Sequence, residues 1–155
     1  VILPRLARLQ DAAKIFELNG CVASTSLVQW SVVMIEEEIV GAQSKVWVIE
    51  NSPDGEAPLA AFLCACHLTE DQWEIRNLAV APEHWGKGLA QKLLEALRCY
   101  ILALPTPGAA EVFLEVAVSN LRAIRFYEKV GAKRLYLRKN LYGSVDGWVF
   151  VLKWS

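Results

Sequence analysis

Apolar positions recur along this chain in two rhythms, every second residue and every three to four, and the switches between them mark out its elements. Residues 2 to 8 are spaced as a first strand. Asp11 then precedes apolar positions at Ala12, Ile15, Phe16 and Leu18, the pattern of a short amphipathic helix, which Asn19-Gly20 ends. A second helix is expected from Ser26 or Ser31 to Val40, stopped by Gly41. Its Glu36, Glu37 and Glu38 form either a solvated acidic face or a rim that attracts a cationic substrate. Strands at 45–50 and 58–67 are joined by Asn51-Ser-Pro-Asp-Gly55, all turn formers, which makes a hairpin. Trp73 to Val80 is a further strand, followed by a glycine-containing loop and a helix from Gly88 to Leu102 that Pro105 and Pro107 close. Glu111 to Val118 reads as a strand, Asn120 to Val130 as a helix stopped by Gly131, and 133–138 and 147–153 as the last two strands.

The resulting order, β-α-α-β-β-β-α-β-α-β-β, departs from regular alternation. It predicts an α+β (mixed α/β) fold with a single, mostly antiparallel mixed sheet flanked by helices. No repeat, low-complexity tract or linker divides residues 1–155, which are expected to form one domain around one core.

Composition narrows the function. Although 54% of residues are hydrophobic, the longest uncharged apolar run, Leu59 to Cys66, is strand length and far short of the roughly 18 residues that span a bilayer. Arg5 and Arg8 interrupt what would be the apolar stretch of an export signal, so none is expected. Sixteen Lys and Arg against seventeen Asp and Glu leave a net charge of −1, so no global field gathers nucleic acid. Cys21, Cys64, Cys66 and Cys99 lack the spacing of a zinc site and are too sparse for a disulfide framework, which fits a reducing cytoplasm and small apolar packing roles. No metal is expected, and His67 and His84, each without a second ligand at metal spacing, read as structural.

Three places carry candidate chemistry. In Trp85-Gly-Lys-Gly-Leu-Ala90 the small residues Gly86, Gly88 and Ala90 let backbone amides approach a ligand where a helix begins and its unpaired N–H groups point outward, an arrangement that binds anions. It is neither a Walker loop, which needs Ser or Thr where Gly88 stands, nor a dinucleotide fingerprint, which needs glycine where Gln91 stands. Glu115 interrupts the apolar strand Val112-Phe-Leu-Glu-Val-Ala-Val118. A dry, unpaired carboxylate there would be costly, so it should face water, a cation or a substrate. Tyr127 shares a helix face with Asn120, Ala123 and Val130, and Asn120 suits a helix cap.

Taken together these residues resemble the GNAT superfamily of N-acetyltransferases. The acyl-CoA loop of that superfamily reads Gln/Arg-x-x-Gly-x-Gly/Ala after a strand and a Val-x-Pro step, which Val80-Ala-Pro82 and Gly88-Leu-Ala90 match. Trp85 stands where Gln or Arg is usual, a change expected to alter local packing more than anion contact. The second signature is matched by Asn120, Ala123, Phe126-Tyr127 and Gly131. The resemblance implies the GNAT acyltransferase fold and acetyl-CoA as co-substrate, without a metal. It places Leu78, Ala79, Val80, Gly86, Lys87, Gly88, Leu89, Ala90, Gln91 and Asn120 against the cofactor, with Glu115 as base and Tyr127 as the acid that protonates the departing sulfur.

That chemistry needs these groups. An amine is mostly protonated near neutral pH and must lose a proton before it attacks a thioester. Backbone N–H groups near Leu78 to Val80, if freed from ladder pairing, would stabilise charge on the thioester oxygen. With a phenol near pKa ~10 and a thiol near ~8.5, Tyr127 needs help from its surroundings. Glu74 is the rival base. It alternates onto the same strand face as Arg76, and that charge pair is expected to lower its basicity, which favours Glu115.

A closer resemblance is to the bacterial enzymes that acetylate the N-terminal alanine of a ribosomal protein, carried by Gln29-Trp-Ser31, Leu114-Glu-Val116 and Arg138-Lys-Asn-Leu-Tyr142. Ala117 replaces an Arg usual in that family, Leu141 the first of two tyrosines, and Val145-Asp146 keeps one acid of a common acidic dipeptide. The expected acceptor is the N-terminal amine of a protein or peptide, with a ribosomal protein as the partner. A small-molecule amine or amino acid is the alternative, and a non-catalytic acyl-CoA-binding module the second. Monomer or homodimer, no membrane and no nucleic-acid contact complete the expectation.

Overall fold

The structure is a computed structural model that describes residues 2–22, 29–105 and 109–155, with the side chains of Leu141 and Tyr142 outside the description. Ser26, one expected helix start, and Pro107, an expected helix stop, lie outside the described residues. In chain order the elements are β1 (Arg5–Leu6), α1 (Ala12–Cys21), α2 (Val32–Val40), β2 (Ser44–Glu50), β3 (Leu59–Thr69), β4 (Gln72–Val80), α3 (Leu89–Leu102), β5 (Ala110–Ala117), α4 (Leu121–Lys129), β6 (Lys133–Tyr142) and β7 (Val145–Trp154). The expected order is reproduced. The first strand is shorter than its apolar spacing suggests, and the last two are longer because they pair up to a turn at Gly143, whose φ of 72° suits glycine.

Local chemistry sets the helix ends. The Ser31 hydroxyl accepts the Met34 N–H at 3.2 Å and so opens α2 at the later of the two expected starts. Asn120 Oδ1 accepts the Ala123 N–H at 3.2 Å, the cap expected for α4. Gly131 stops α4 at a φ of 96°.

The strands form one sheet in the order β1-β2-β3-β4-β5-β7-β6, and only β4 and β5 run parallel among the described residues. β3 lies inside it, buried continuously from Leu59 to Cys66, because helices cover both faces there. On one face α3 and α4 pack Leu93, Leu97 and Ile124 against Leu114 and Phe150 of the sheet; on the other α1 and α2 pack Ile15 and Ile35 against Val48 and Phe62. The sheet thus divides two cores where the length suggested one. A hydrogen bond from Asn77 Nδ2 to Asn19 Oδ1 at 3.1 Å satisfies two buried amides and ties α1 to β4. Among the described residues no helix is long and apolar enough to cross a membrane.

Two irregularities in β4 position the site. Against β3, Ile75 lies opposite Ala65 and Asn77 opposite Cys64, so Arg76 is an extra, bulged residue. Against β5, pairing runs only from Gln72 to Ile75, opposite Glu111 to Leu114, and then stops. From Arg76 onward the two parallel strands part, which opens a split in the middle of the sheet.

Candidate active site

A cavity of about 480 Å³ occupies this split. Its position follows from strand geometry. The Ala81 N–H donates to the Ala60 carbonyl on β3 at 2.8 Å, so by alternation the backbone groups of Leu78 and Val80 turn away from β3 and into the split. Both residues line the cavity. The N–H groups of Leu78 and Val80, expected to be free of ladder pairing, therefore turn into the split.

The glycine loop forms the next wall. Gly86 and Gly88 adopt φ values of 77° and 78°, and nothing stands within 4 Å of a Cβ built on either. The left-handed backbone requires glycine, and the space above it is open to a ligand. Gly88 is the N-cap of α3 and offers no side-chain cap, so the first N–H groups of a 14-residue helix face that space without a competing side chain. Open amides at a helix start fit the pyrophosphate of CoA. Gly86, Gly88, Leu89, Ala90 and Gln91 line the cavity with Ala79 and Asn120. Lys87, expected among them, is not in the wall; its exposed Nζ lies 3.5 Å from His84 Nδ1.

His84 itself is in the wall, with an Nε2 that is buried and without a hydrogen-bond partner among the described residues. The histidine read as structural thus contributes to the wall, with this nitrogen enclosed. Trp85 does more than fill space. Its indole N–H donates to the Val80 carbonyl at 2.8 Å, pinning the loop to the end of β4, and its ring carries the Arg122 guanidinium at 3.8 Å. Phe126 of the second signature also lines the cavity, as do Arg122, Arg125 and Lys129, which were not singled out from the sequence. Their spacing on one face of α4 was the signal available.

The carboxylates stand on the opposite face. Val112, Leu114 and Val116 belong to the core under α3 and α4, so alternation turns Glu115 to the other side, where it lines the cavity. Arg138 from β6 donates to Glu115 Oε1, the cation that a strand carboxylate was expected to find. Tyr127 is buried and reaches the cavity from α4, with its ring against Phe126 and Phe150 at 5.1 and 6.5 Å between centres.

The expected charge pair with Arg76 does not make Glu74 a weaker base; its proton affinity is raised. Arg76 gives its ion pair to Glu38 of α2, not to Glu74. Burial then raises the proton affinity of the Glu74 carboxyl above the usual carboxylate range; Arg76 pulls it down and the nearby charge of Glu115 pushes it up. Glu74 is thus a stronger base than expected, although Glu115 and not Glu74 lines the cavity. Glu38 also departs from the acidic face drawn from sequence: it turns inward, binding Arg76 and accepting the Cys64 S–H at 3.4 Å, and burial holds that thiol well above its ordinary pKa. Among the described residues no group of three or more His, Cys, Asp or Glu is placed to hold a metal ion.

Residues 12–132 match the sequence profile of the Acetyltransferase (GNAT) family. The [ribosomal protein bS18]-alanine N-acetyltransferase of Haemophilus ducreyi is 31% identical over 138 residues, covering 89% of this chain and 87% of that one. Among solved structures, the ribosomal-protein-S18-alanine N-acetyltransferase from Escherichia coli shares the fold with a TM-score of 0.80 at 21% identity, over 99% of this chain and 94% of that one. Arabidopsis thaliana NAA60 in complex with acetyl-CoA gives 0.82 at 18% identity, over 99% and 98%.

Proposed function

From the premise that this chain belongs to the Acetyltransferase (GNAT) family, we propose that it transfers the acetyl group of acetyl-CoA directly to the N-terminal amine of a protein or peptide. Residues 1–155 act as one domain in this reading. The observation that carries it is the split between β4 and β5, which joins the open glycine-loop amides on one face of the sheet to Glu115 on the other through a single cavity.

Each group then has a task. The amides of Gly86, Gly88 and the first turn of α3 hold the pyrophosphate, and the walls of the split, Leu78, Val80, Leu114 and Val116, guide the pantetheine arm. The N–H groups of Leu78 and Val80 stabilise charge on the acetyl oxygen as the amine nitrogen bonds to its carbon. Glu115 takes the proton that the attacking amine loses, directly or through a water, and Arg138 fixes the orientation of its carboxylate. The C–S bond breaks, and Tyr127 gives its phenolic proton to the departing sulfur. The products are an amide and free CoA thiol.

The acceptor reading is supported by the 31% identity to the H. ducreyi [ribosomal protein bS18]-alanine N-acetyltransferase across most of both chains. A ribosomal protein beginning with alanine is accordingly the first acceptor to test, and the cytoplasm, where such a substrate and acetyl-CoA meet, is the proposed location. The test is release of CoA thiol from acetyl-CoA against a panel of peptides, including one beginning Ala-Arg, and of small amines. Turnover on a peptide N-terminus supports the proposal; turnover confined to small amines shifts the acceptor class; tight acetyl-CoA binding with no turnover leaves only a binding module. Glu115→Gln and Tyr127→Phe are expected to lower kcat by roughly 100-fold or more with acetyl-CoA affinity nearly unchanged. Near-wild-type rates would remove either residue from the mechanism.

A further inference from the structure

Helix α4 carries three cations that the transfer chemistry does not use. Arg122, Arg125 and Lys129 line the cavity from one face of the helix. Of these, Arg122 is held in place. Its guanidinium carbon stands 3.8 Å from the centre of the Trp85 ring, and that ring is itself fixed by the 2.8 Å bond from its N–H to the Val80 carbonyl. One stacked pair thereby links the end of β4, the glycine loop and α4.

The geometry has a chemical consequence. Stacking uses the flat face of a guanidinium and leaves its five N–H donors in the plane, free to meet an anion at the edge. Arg122 makes no ion pair with a carboxylate among the described residues. Arg134 is the contrast: it too lies over an indole, that of Trp148 at 4.7 Å, but its charge is already taken by Glu128 at 2.9 Å. Arg122 is therefore a pre-positioned cation with its donors uncommitted, one residue from Gly86 through the Trp85 ring, in the cavity whose other anion-binding element is the open start of α3.

We propose that Arg122 binds the pyrophosphate of CoA from the side opposite the α3 amides, and that Trp85 is the positioning residue that fixes it there. The proposal rests on the reading of the cavity as an acetyl-CoA site. It gives Trp85 a role as the platform for a cation supplied by another helix, beyond local packing. A charge-assisted contact of this kind is worth roughly 10- to 100-fold in affinity.

Calorimetric titration of CoA, dephospho-CoA and acetyl-CoA tests it. Arg122→Ala is expected to weaken all three by roughly 10-fold or more, and to raise the KM for acetyl-CoA while kcat at saturation stays within about threefold. Trp85→Ala should weaken CoA several-fold in the wild-type background and clearly less in the Arg122→Ala background, where only the lost pin between the loop and Val80 remains to act. Trp85→Phe, which keeps an aromatic face, should restore most of the affinity. A loss seen with CoA but not with dephospho-CoA would place Arg122 on the 3′-phosphate and overturn the assignment, as would additive effects of the two alanine variants. If the wild-type protein binds no acetyl-CoA, the cofactor reading itself fails; if it binds and Arg122→Ala binds equally well, only this inference does.

Discussion

At the scale of single residues, the site turns on which charged groups meet. Glu74, Arg76 and Glu115 lie on neighbouring strands of the sheet, yet their partners are chosen by other elements: Glu38 of α2 takes Arg76, and Arg138 of β6 takes Glu115. What is left is a half-buried Glu74 whose charged form is disfavoured by burial. A carboxyl with a folded pKa above its unfolded value contributes most to stability at low pH and loses that contribution as pH rises through the folded value. Glu74→Gln has no such dependence. Its melting temperature is therefore expected to exceed that of the wild type near pH 8, with the gap shrinking toward pH 4, and a constant gap across that range would show that Glu74 is not desolvated as described. If Glu115 is the base, the same variant keeps kcat within about threefold; a loss near 100-fold would move the proton transfer to Glu74.

Individual elements matter here mostly through their ends. α3 delivers its first N–H groups to the cavity because Gly88 caps it with a left-handed backbone and no side chain, while α4 is capped by the side chain of Asn120, which keeps that residue in the cavity wall. Gly88→Ala would force a Cβ into the left-handed region, at a cost of about 1–2 kcal/mol, measurable by urea denaturation. The added methyl meets no protein atom, so it projects into the space proposed for the pyrophosphate, and a raised Kd for CoA should accompany the lost stability. Stability loss with unchanged CoA affinity would separate the loop from the cofactor. Most of these ends were legible beforehand: Ser31, Asn120 and Gly131 announce themselves by residue type. The bulge at Arg76 did not, because no local signal distinguishes an extra residue in one strand until its partner's register is known.

For the whole molecule, one sheet divides two cores, and a part-buried ion network anchors the edge where the chain enters it. Arg5 of β1 holds Asp11 at 2.9 Å and Glu50 of β2 at 3.1 Å, and the Arg8 N–H donates to Asp11 at 2.7 Å. Burial alone would raise the Asp11 proton affinity, but the Arg5 guanidinium and the Arg8 amide outweigh it and hold the carboxyl below the usual range. Its stabilising contribution is therefore present above about pH 4 and lost as pH falls through the depressed folded value. Asp11→Ala leaves Arg5 with Glu50 alone and removes the acceptor of the Arg8 N–H, and is expected to cost about 1–2 kcal/mol at pH 7, a deficit that narrows in acid; equal deficits at pH 7 and pH 3 would show that the charge is not what stabilises. The family, the element order and the mixed, mostly antiparallel sheet read from the chain agree with its GNAT match and with the fold it shares with acetyltransferase structures. Those readings rested on motifs and periodicities that are local in sequence.

The sequence by itself thus determined the elements, the glycine loop, the cap at Asn120 and the family, since each depends on residues within a few positions of one another. Tertiary structure alone decided which strands part, which arginine each glutamate holds, that Lys87 is not in the cavity wall, and that Arg122 of α4 rests on Trp85. Those outcomes depend on contacts between residues tens of positions apart, and a side chain's charge is legible in a sequence long before its partner is.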